Sequence, residues 1–321
     1  MKAIVYERYG PEAVEQCELE KPLIADDQVL VRVRASSVNP VEWYGVYAPP
    51  FVRVISRQLR RPKDPSLGVD LAGTVEAVGK NVTAFRPGDE VFGASDASWA
   101  EYAAASATKL AHKPANVSFE EAAGVPVAGL TALQALRDHG AVQPGQKVLI
   151  NGASGGVGTY AIQIGKVLGA DVTAVCSTQN VELARSLGAD RVIDYTREDF
   201  TRTGRQHDLI IDIAGSRSFS KLRRILTPQA TVVVVGARME YSLLGPLKHM
   251  IGTVVEAVGR SQEAKLFMAD VNTSDLTYMG ELIASGKLRS VIDRRYPLSE
   301  AVEALRYLGQ GHARGKIVLS V

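Results

Sequence analysis

Polar and apolar residues alternate along Gln28–Ala35 (Gln-Val-Leu-Val-Arg-Val-Arg-Ala), the period of a strand with one buried face. Ala72–Val78 carries a second strand pattern, and Gly79-Lys80-Asn81 reads as the turn after it. Arg86-Pro87-Gly88-Asp89 turns into a short strand that reaches Gly93, and Ala100–Ala105 is a further strand. Short strands at this spacing predict a barrel-like β-domain.

The pattern changes near Glu120. Ser118 is placed to cap a helix whose first turn holds Glu120 and Glu121, acids that suit its positive end. A second helix is predicted over Thr131–His139, stopped by Gly140. Strands and helices then alternate. Strands are predicted at Lys147–Ile150, Asp171–Cys176, Arg191–Tyr195, Asp208–Ile213 and Thr231–Val235. Helices are predicted at Val157–Leu168, Val181–Leu187 and Phe219–Leu226. Leu-Gly-Ala-Asp occurs at Leu168–Asp171 and again at Leu187–Asp190, each glycine standing where a helix ends and a strand follows. Apolar strands separated by helices predict a parallel sheet covered on both faces. In the tail, Ser299 is placed to cap a helix over Glu300–Leu308, and Lys316–Val321 reads as a last strand. The tail is expected to return to the β-domain. The expected division is therefore 1–122 with 285–321, and 123–284.

Composition changes this picture only by exclusion. The chain has 321 residues, 46% hydrophobic and 22% charged, so it is long enough to bury a core without disulfides or metals. Lys and Arg number 37 against 35 Asp and Glu, a net +2, which argues against a nucleic-acid binder. Cys17 and Cys176 are too few for a four-cysteine zinc lobe and read as small buried apolar residues. Charge appears at Lys2, Glu7 and Arg8, before any export-length apolar run. Val148–Gly165 is free of charge but carries five glycines, so it is no membrane span. A cytoplasmic protein is expected. Arg53, Arg57, Arg60, Arg61 and Lys63 form a basic stretch that reads as a solvated loop face.

The sharpest chemical signal is Asn151-Gly152-Ala153-Ser154-Gly155-Gly156-Val157-Gly158, between a predicted strand and a predicted helix. Glycines let the turn be tight and let backbone approach a pyrophosphate, while the helix start offers unpaired N–H groups to the anion. Ala153 stands in the first glycine slot of G-x-G-x-x-G. An NAD site calls for an acid at the end of the next strand to hold the ribose. Here Ala174–Asn180 has none, and the first acid is Glu182. Hydroxyls and amides bond a phosphate that an acid would repel. NADPH is therefore the expected cofactor, with Ser177 at the 2′-phosphate and Lys166 or Arg185 as nearby charge.

Ser37–Pro40, Gly68–Gly73, Arg86–Val91, Ala128–Ala132, Ala153–Gly158 and Gly311–Lys316, in that order, resemble the zinc-independent quinone oxidoreductase group of the medium-chain dehydrogenase/reductase family. Val175-Cys176-Ser177 and the His-Ala-Arg-Gly-Lys ending are similar to the reticulon-interacting oxidoreductases and their bacterial relatives. The resemblance implies an α/β protein: a GroES-like β-barrel catalytic domain and a Rossmann, doubly wound parallel-sheet domain. It implies that Ser154, Gly155, Gly156 and Val157 hold the pyrophosphate, and that Ser177 and Tyr195 meet the 2′-phosphate end. It places Thr131 near the nicotinamide, Gly236 and Ala237 along the cofactor cleft, and Phe267 and Met268 beside the nicotinamide ribose or carboxamide. His312, Ala313 and Arg314 reach the cofactor from the tail. Zinc-dependent relatives carry a Cys and a His where this chain has Asn39 and Val69, which leaves only Asp70 and no three-ligand site. A homodimer is implied, paired through the strand near Ala264–Ala269.

Without a strong Lewis acid, alcohol oxidation is disfavoured, and hydride transfer to an already electrophilic quinone or enone needs less help. Asn39, Trp43, Tyr44 and Tyr47 are the acceptor-pocket candidates, Asn39 or a tyrosine hydroxyl bonding the developing oxyanion. Two alternatives stay open at this point. One is an enoyl-thioester reductase that uses the Arg53–Lys63 cluster for a phosphorylated carrier. The other is a non-enzymatic, crystallin-like NADPH-binding protein.

Overall fold

The structure, a computed structural model, describes residues 1–47, 62, 64–236 and 244–321, with the backbone alone for Pro11 and 244–248. The basic residues Arg53, Arg57, Arg60, Arg61 and Lys63 and the cofactor candidate Ala237 lie outside the described residues. The chain divides into two units, Met1–Leu130 with Asp270–Val321, and Thr131–Ala269.

In the first unit, β1 (Lys2–Tyr6) and β2 (Val14–Glu18) form an antiparallel pair. A seven-stranded sheet holds β3 (Gln28–Val38), β4 (Asp70–Val78), β5 (Glu90–Ala94), β6 (Tyr102–Ser106), β7 (Leu110–His112), β14 (Ile292–Pro297) and β15 (Lys316–Ser320). Its order is β14-β15-β3-β4-β5-β7, with β6 also on β3. The alternation in β3 buries Val29, Val31 and Val33 against Leu71, Val75, Phe85, Val91 and Leu110, while Arg32 and Arg34 face out. The strand runs on through Ser36 and Ser37. Both are buried, and their hydroxyls donate to Asp70, so polarity there does not mean exposure. Among the described residues this unit holds the helices α1 (Pro40–Val46), α2 (Phe119–Ala123), α8 (Thr273–Ala284) and α9 (Ala301–Gly309). Ser118 caps α2 as expected, its Oγ accepting from the Glu121 N–H.

The second unit is a six-stranded, all-parallel sheet. Its strands are β8 (Lys147–Asn151), β9 (Asp171–Cys176), β10 (Arg191–Asp194), β11 (His207–Asp212), β12 (Leu226–Val234) and β13 (Glu263–Leu266), in the order β10-β9-β8-β11-β12-β13. Helices α4 (Gly156–Val167), α5 (Val181–Ser186), α6 (Phe219–Leu222) and α7 (Leu244–Ala257) intervene, and α3 (Pro126–Gln134) leads in from the first unit. Apolar side chains of β8, β9, β11 and β12 are fully buried, as a covered parallel sheet requires.

Several expectations are corrected. The unit boundaries fall at 130/131 and 269/270 rather than 122/123 and 284/285. The Thr273 hydroxyl donates to the Leu110 carbonyl (2.9 Å) and the Asn116 amide to the Ala284 carbonyl (2.9 Å), which ties α8 to the β-rich unit. The helix placed at Thr131 starts at Pro126, whose fixed φ suits a first turn, and Ala135–His139 continues it as a π-helix. The helix expected over Phe219–Leu226 is α6 and a 3-10 turn ending at Ile225, because Leu226 already pairs with His207. Ser299 lies inside the 3-10 turn Leu298–Glu300, and α9 begins at Ala301 without a side-chain cap. Cys17 is half-buried on β2, not buried. Cys176 is buried, and desolvation pushes its thiol up to about 11. Among the described residues no helix is long and apolar enough to cross a membrane.

Candidate functional site

The second unit builds an anion cradle at its sheet. Strand β8 is flanked by β9 on one side and β11 on the other, so successive connections leave in opposite directions there. That is the switch point at which a crevice opens beyond the carboxyl ends of the strands. The turn after Asn151 uses Gly152 at φ +93°, in the left-handed region that favours glycine. A Cβ on Gly158 would strike the Gly152 carbonyl and Ala153, so only glycine lets this turn fold down on α4. Ala153, in the first glycine slot, tucks its methyl into the interior while its N–H donates to the Val175 carbonyl (3.1 Å). Ser154, Gly155, Gly156 and Val157 stay partly open around the start of α4, where first-turn N–H groups have no intrahelical partner.

Beyond β9, Ser177 joins this cradle through Asn180, a residue the sequence reading left without a role. The buried Asn180 amide donates to Ser154 Oγ (3.1 Å) and to Ser177 Oγ (3.1 Å). Both hydroxyls therefore accept from Asn180 and keep their own protons to donate outward. Asn180 Oδ1 is buried with no partner among the described residues. One acid does approach. Asp194, at the end of β10, accepts from the Thr178 hydroxyl (2.5 Å) and from the Thr196 hydroxyl (2.7 Å), with Arg197 at 3.4 Å. The Thr178 and Thr196 hydroxyls hold its carboxyl below the usual range, although partial desolvation opposes them. Its charge is thus shared between its own loop and Thr178, the residue after Ser177. Tyr195 is exposed beside it, its N–H donating to the Cys176 carbonyl (3.1 Å). Lys166 and Arg185 do not supply the expected charge. Lys166 bridges to Asp190 (2.7 Å) near the amino ends of β9 and β10, and Arg185 pairs with Glu182 (2.6 Å).

A second polar knot ties β8 to β11. Asp212, fully buried, accepts from the Asn151 amide (2.7 Å), the Gly215 N–H (3.1 Å) and His249 Nε2 (3.1 Å). Gly236 follows β12, its N–H donating to the Asp212 carbonyl (3.3 Å). Phe267 stacks on His139 with ring centroids 4.1 Å apart, whereas Met268 is 94% exposed. Thr131 opens the unit, half-buried in α3.

In the first unit the candidates gather around a buried ion pair. Lys316 Nζ lies 3.3 Å from Asp70 Oδ2 and donates to Asn39 Oδ1 (2.5 Å). Asp70 also accepts from Ser37 Oγ (2.5 Å), Asn39 Nδ2 (3.0 Å) and the Val127 N–H (2.9 Å). Asn39 caps α1 just before Pro40, and Glu42 reaches back to the Asn39 N–H (2.7 Å) and across to the Val69 N–H (3.0 Å). Burial, then the neighbouring Asp70 charge, pushes the Glu42 carboxyl up to about 7.

This geometry revises two acceptor candidates. Asn39 is 2% exposed with both ends of its amide engaged, so it orients the buried cluster rather than presenting a donor outward. Trp43 is 3% exposed, packed so closely on Gly309 that a Cβ there would enter its ring, and Tyr47 lies on it at 3.9 Å between centroids. Tyr44 and Tyr47 remain partly open on α1. His312 and Arg314 are exposed and Ala313 is half-buried, with the Arg314 N–H donating to Asp293 (2.9 Å). Among the described residues no three His, Cys, Asp or Glu side chains come together to hold a metal ion.

Comparison with known proteins matches the two halves of this architecture. A family model for the alcohol dehydrogenase GroES-like domain covers residues 25–181, and one for zinc-binding dehydrogenases covers 187–319. The chain is 33% identical to the chloroplastic quinone-oxidoreductase QR1 of Triphysaria versicolor, over 99% of this chain and 98% of that protein. It is 34% identical to the mitochondrial NAD(P)H oxidoreductase RTN4IP1 of Mus musculus, over 100% of this chain and 89% of that one. The trans-enoyl reductase pgmF of Aspergillus terreus is 35% identical over 93% of this chain and 87% of its own length. Among solved structures, the quinone oxidoreductase of Coxiella burnetii superposes with TM-score 0.86 at 32% identity, covering 100% of this chain and 99% of that one. The Escherichia coli quinone oxidoreductase complexed with NADPH gives 0.81 at 25% identity, with 100% of both chains covered.

Proposed function

Since the chain belongs to the quinone oxidoreductase group of the medium-chain dehydrogenase/reductase family, we propose that it transfers a hydride from NADPH to a quinone or an α,β-unsaturated carbonyl without a metal. The observation that carries the cofactor assignment is the Ser154–Asn180–Ser177 bridge. It leaves both serine hydroxyl protons to donate elsewhere and an orphan acceptor, Asn180 Oδ1, beside them. A sugar phosphate offers both the acceptor oxygens and the hydroxyl donor that such a cradle lacks. The glycine corner and the start of α4 would hold the pyrophosphate, with Tyr195, Gly236 and Phe267 as further contacts in this unit. Thr131, Ala237, Met268, His312, Ala313 and Arg314 are assigned to the cofactor on family resemblance alone. Bound there, NADPH supplies the hydride.

The donor set of the first unit does not fit a catalytic zinc. Asn39 and Val69 stand at the Cys and His positions, Asp70 is already shared with the Lys316 ammonium, and the neighbouring Glu42 carboxylate is taken by the Asn39 and Val69 N–H groups. The protein's task is then to position an electrophile and to stabilise charge on its oxygen. Tyr44 and Tyr47 carry the hydroxyls suited to that, on a helix fixed by the buried Asn39, Glu42 and Trp43. One relative favours a second reading, an enoyl-thioester reductase, since pgmF is named a trans-enoyl reductase.

Oxidation of NADPH and NADH against a panel of quinones, enones and enoyl thioesters tests all of this. NADPH-dependent turnover of quinones or enones is expected, and enoyl-CoA as the preferred acceptor would move the assignment to the second reading. Ser177→Asp is expected to weaken NADPH by at least about tenfold and NADH little, because a carboxylate beside a phosphate is a like-charge contact. Tyr44→Phe is expected to lower kcat/KM by about tenfold or more if its hydroxyl bonds the oxyanion. NADH used as well as NADPH would sink the cofactor assignment, and unchanged rates in Tyr44→Phe would remove that residue.

We also propose a homodimer through β13, whose outer edge is unpaired among the described residues. Leu266 on that strand, Ile251 and Val255 on the adjacent α7 and Val258 just past its end are exposed apolar residues. An apolar stripe beside an open strand edge favours a two-fold partner. Light scattering should report twice the 34.5 kDa chain mass. Val255→Asp should give the monomer, and a monomeric wild type would reject the dimer.

A further inference from the structure

A polar cavity in the second unit takes no part in the function proposed above. It encloses about 400 Å³ beside the outermost strand, β10, and its lining includes Thr173, Arg185, Asp190, Arg191, Glu198 and Arg205. It lies toward the amino end of the strands, because Arg191 opens β10 and stands in register with Thr173. The glycine corner follows their carboxyl ends. Thr173 is three residues back from the end of β9, about 10 Å along the strand.

Two buried polar atoms of its lining, Thr173 Oγ1 and Arg205 Nε, have no partner among the described residues, and neither has Asp171 Oδ1 on the carboxylate that Arg205 grips. Thr173 is completely buried. Arg205 is held by a 2.5 Å contact to Asp171 Oδ2 that leaves its Nε–H and the second carboxylate oxygen unused. Buried donors and acceptors are almost always satisfied in folded proteins, so unmet ones on a cavity wall mark a site that something fills.

The inventory says what would fill it. The Thr173 hydroxyl and the Arg205 Nε–H ask for an acceptor, and Asp171 Oδ1 asks for a donor. The walls carry Arg185, Arg191 and Arg205 against Asp190 and Glu198; Arg185 is paired with Glu182, Arg205 with Asp171 and Asp190 with Lys166. Guanidinium groups match an oxyanion in shape and charge. We propose that this cavity is a binding site for hydrogen phosphate. Its bare oxygens accept from Thr173, Arg205 and Arg191, and its P–OH donates to Asp171. Sulfate has the same shape and charge but no proton to give to that carboxylate, so the site discriminates between the two.

The test is a titration of the full chain with sodium phosphate and with sodium sulfate at constant ionic strength, followed by thermal unfolding. Phosphate should raise Tm saturably, at a half-saturating concentration at least tenfold below that of sulfate. Two variants probe opposite sides of the cavity. Thr173→Val keeps shape and burial and removes an unpartnered hydroxyl, so its ligand-free Tm should not fall. Arg191→Gln removes a rim charge. Each should raise the half-saturating phosphate concentration about tenfold while leaving the glycine corner intact. Absence of a saturable shift, equal response to sulfate, or a phosphate response unchanged in both variants would overturn the proposal.

Discussion

Replacing Lys316 with methionine is expected to cost the first unit about 3–5 kcal/mol, the range found when one partner of a buried ion pair is removed. The ammonium is 3% exposed and the carboxylate of Asp70 is fully buried. Its loss strands that charge and frees Asn39 Oδ1 in the same step. Removing both charges should be far cheaper, because the protein then buries no uncompensated ion. Urea denaturation of Lys316→Met, Asp70→Asn and the double variant forms a double-mutant cycle. The expected result is a double variant more stable than Lys316→Met alone. Additive losses, or a single loss below about 1 kcal/mol on the same scale, would show that the pair does not act as a pair.

Acid and base are expected to act on the two units in opposite senses. Glu42 in the first unit is raised from 4.5 to about 7 by burial and then by Asp70. Its folded form binds a proton that its unfolded form has released. The stability it contributes is complete below pH 4.5 and is lost as pH rises through 7, about 3 kcal/mol in all. His207 in the second unit is lowered from 6.5 to about 4, chiefly by burial and then by the Arg205 charge, against the Ile225 carbonyl. Its contribution is complete above pH 6.5 and is lost as pH falls through 4, again about 3 kcal/mol. Between pH 4.5 and 6.5 the two slopes oppose, so the wild type can look indifferent to pH while each unit changes. Glu42→Gln should gain stability relative to wild type as pH goes from 5 to 8. His207→Gln should gain relative to wild type as pH goes from 6.5 to 4. Unfolding free energies that run parallel to wild type across those windows would refute the respective assignment.

What was legible in the sequence was whatever is local. The period of two in β3, the glycine corner and the Ser118 cap each depend on residues within a few positions of one another. That the second sheet is parallel followed from alternation of its strands with helices. Pairings across long separations were not legible. Asp70 and Lys316 are 246 residues apart, and nothing in either neighbourhood announces that one neutralises the other. Asn39 illustrates the consequence. Its position suggested a donor for the substrate, and only the distant lysine shows that its amide is already committed. Asp194 was hidden in a similar way, because the acid near Ser177 comes from β10 rather than from the strand Ser177 follows. Ser299 failed as a cap for a simpler reason: a 3-10 turn beginning at Leu298 had already set the helix entry.

Strand β15 lies between β14 and β3, and Lys316 at its start neutralises a carboxylate on β4. The ribosome adds that strand after the whole of the second unit, Thr131–Ala269, has been made. The nascent chain therefore carries a finished parallel-sheet unit while the earlier β-rich segment still waits, one flank of β3 bare and Asp70 without its cation. Domains tend to fold as units in order of synthesis, but here the segment made first is completed last. A chaperone would meet this protein at that flank of β3.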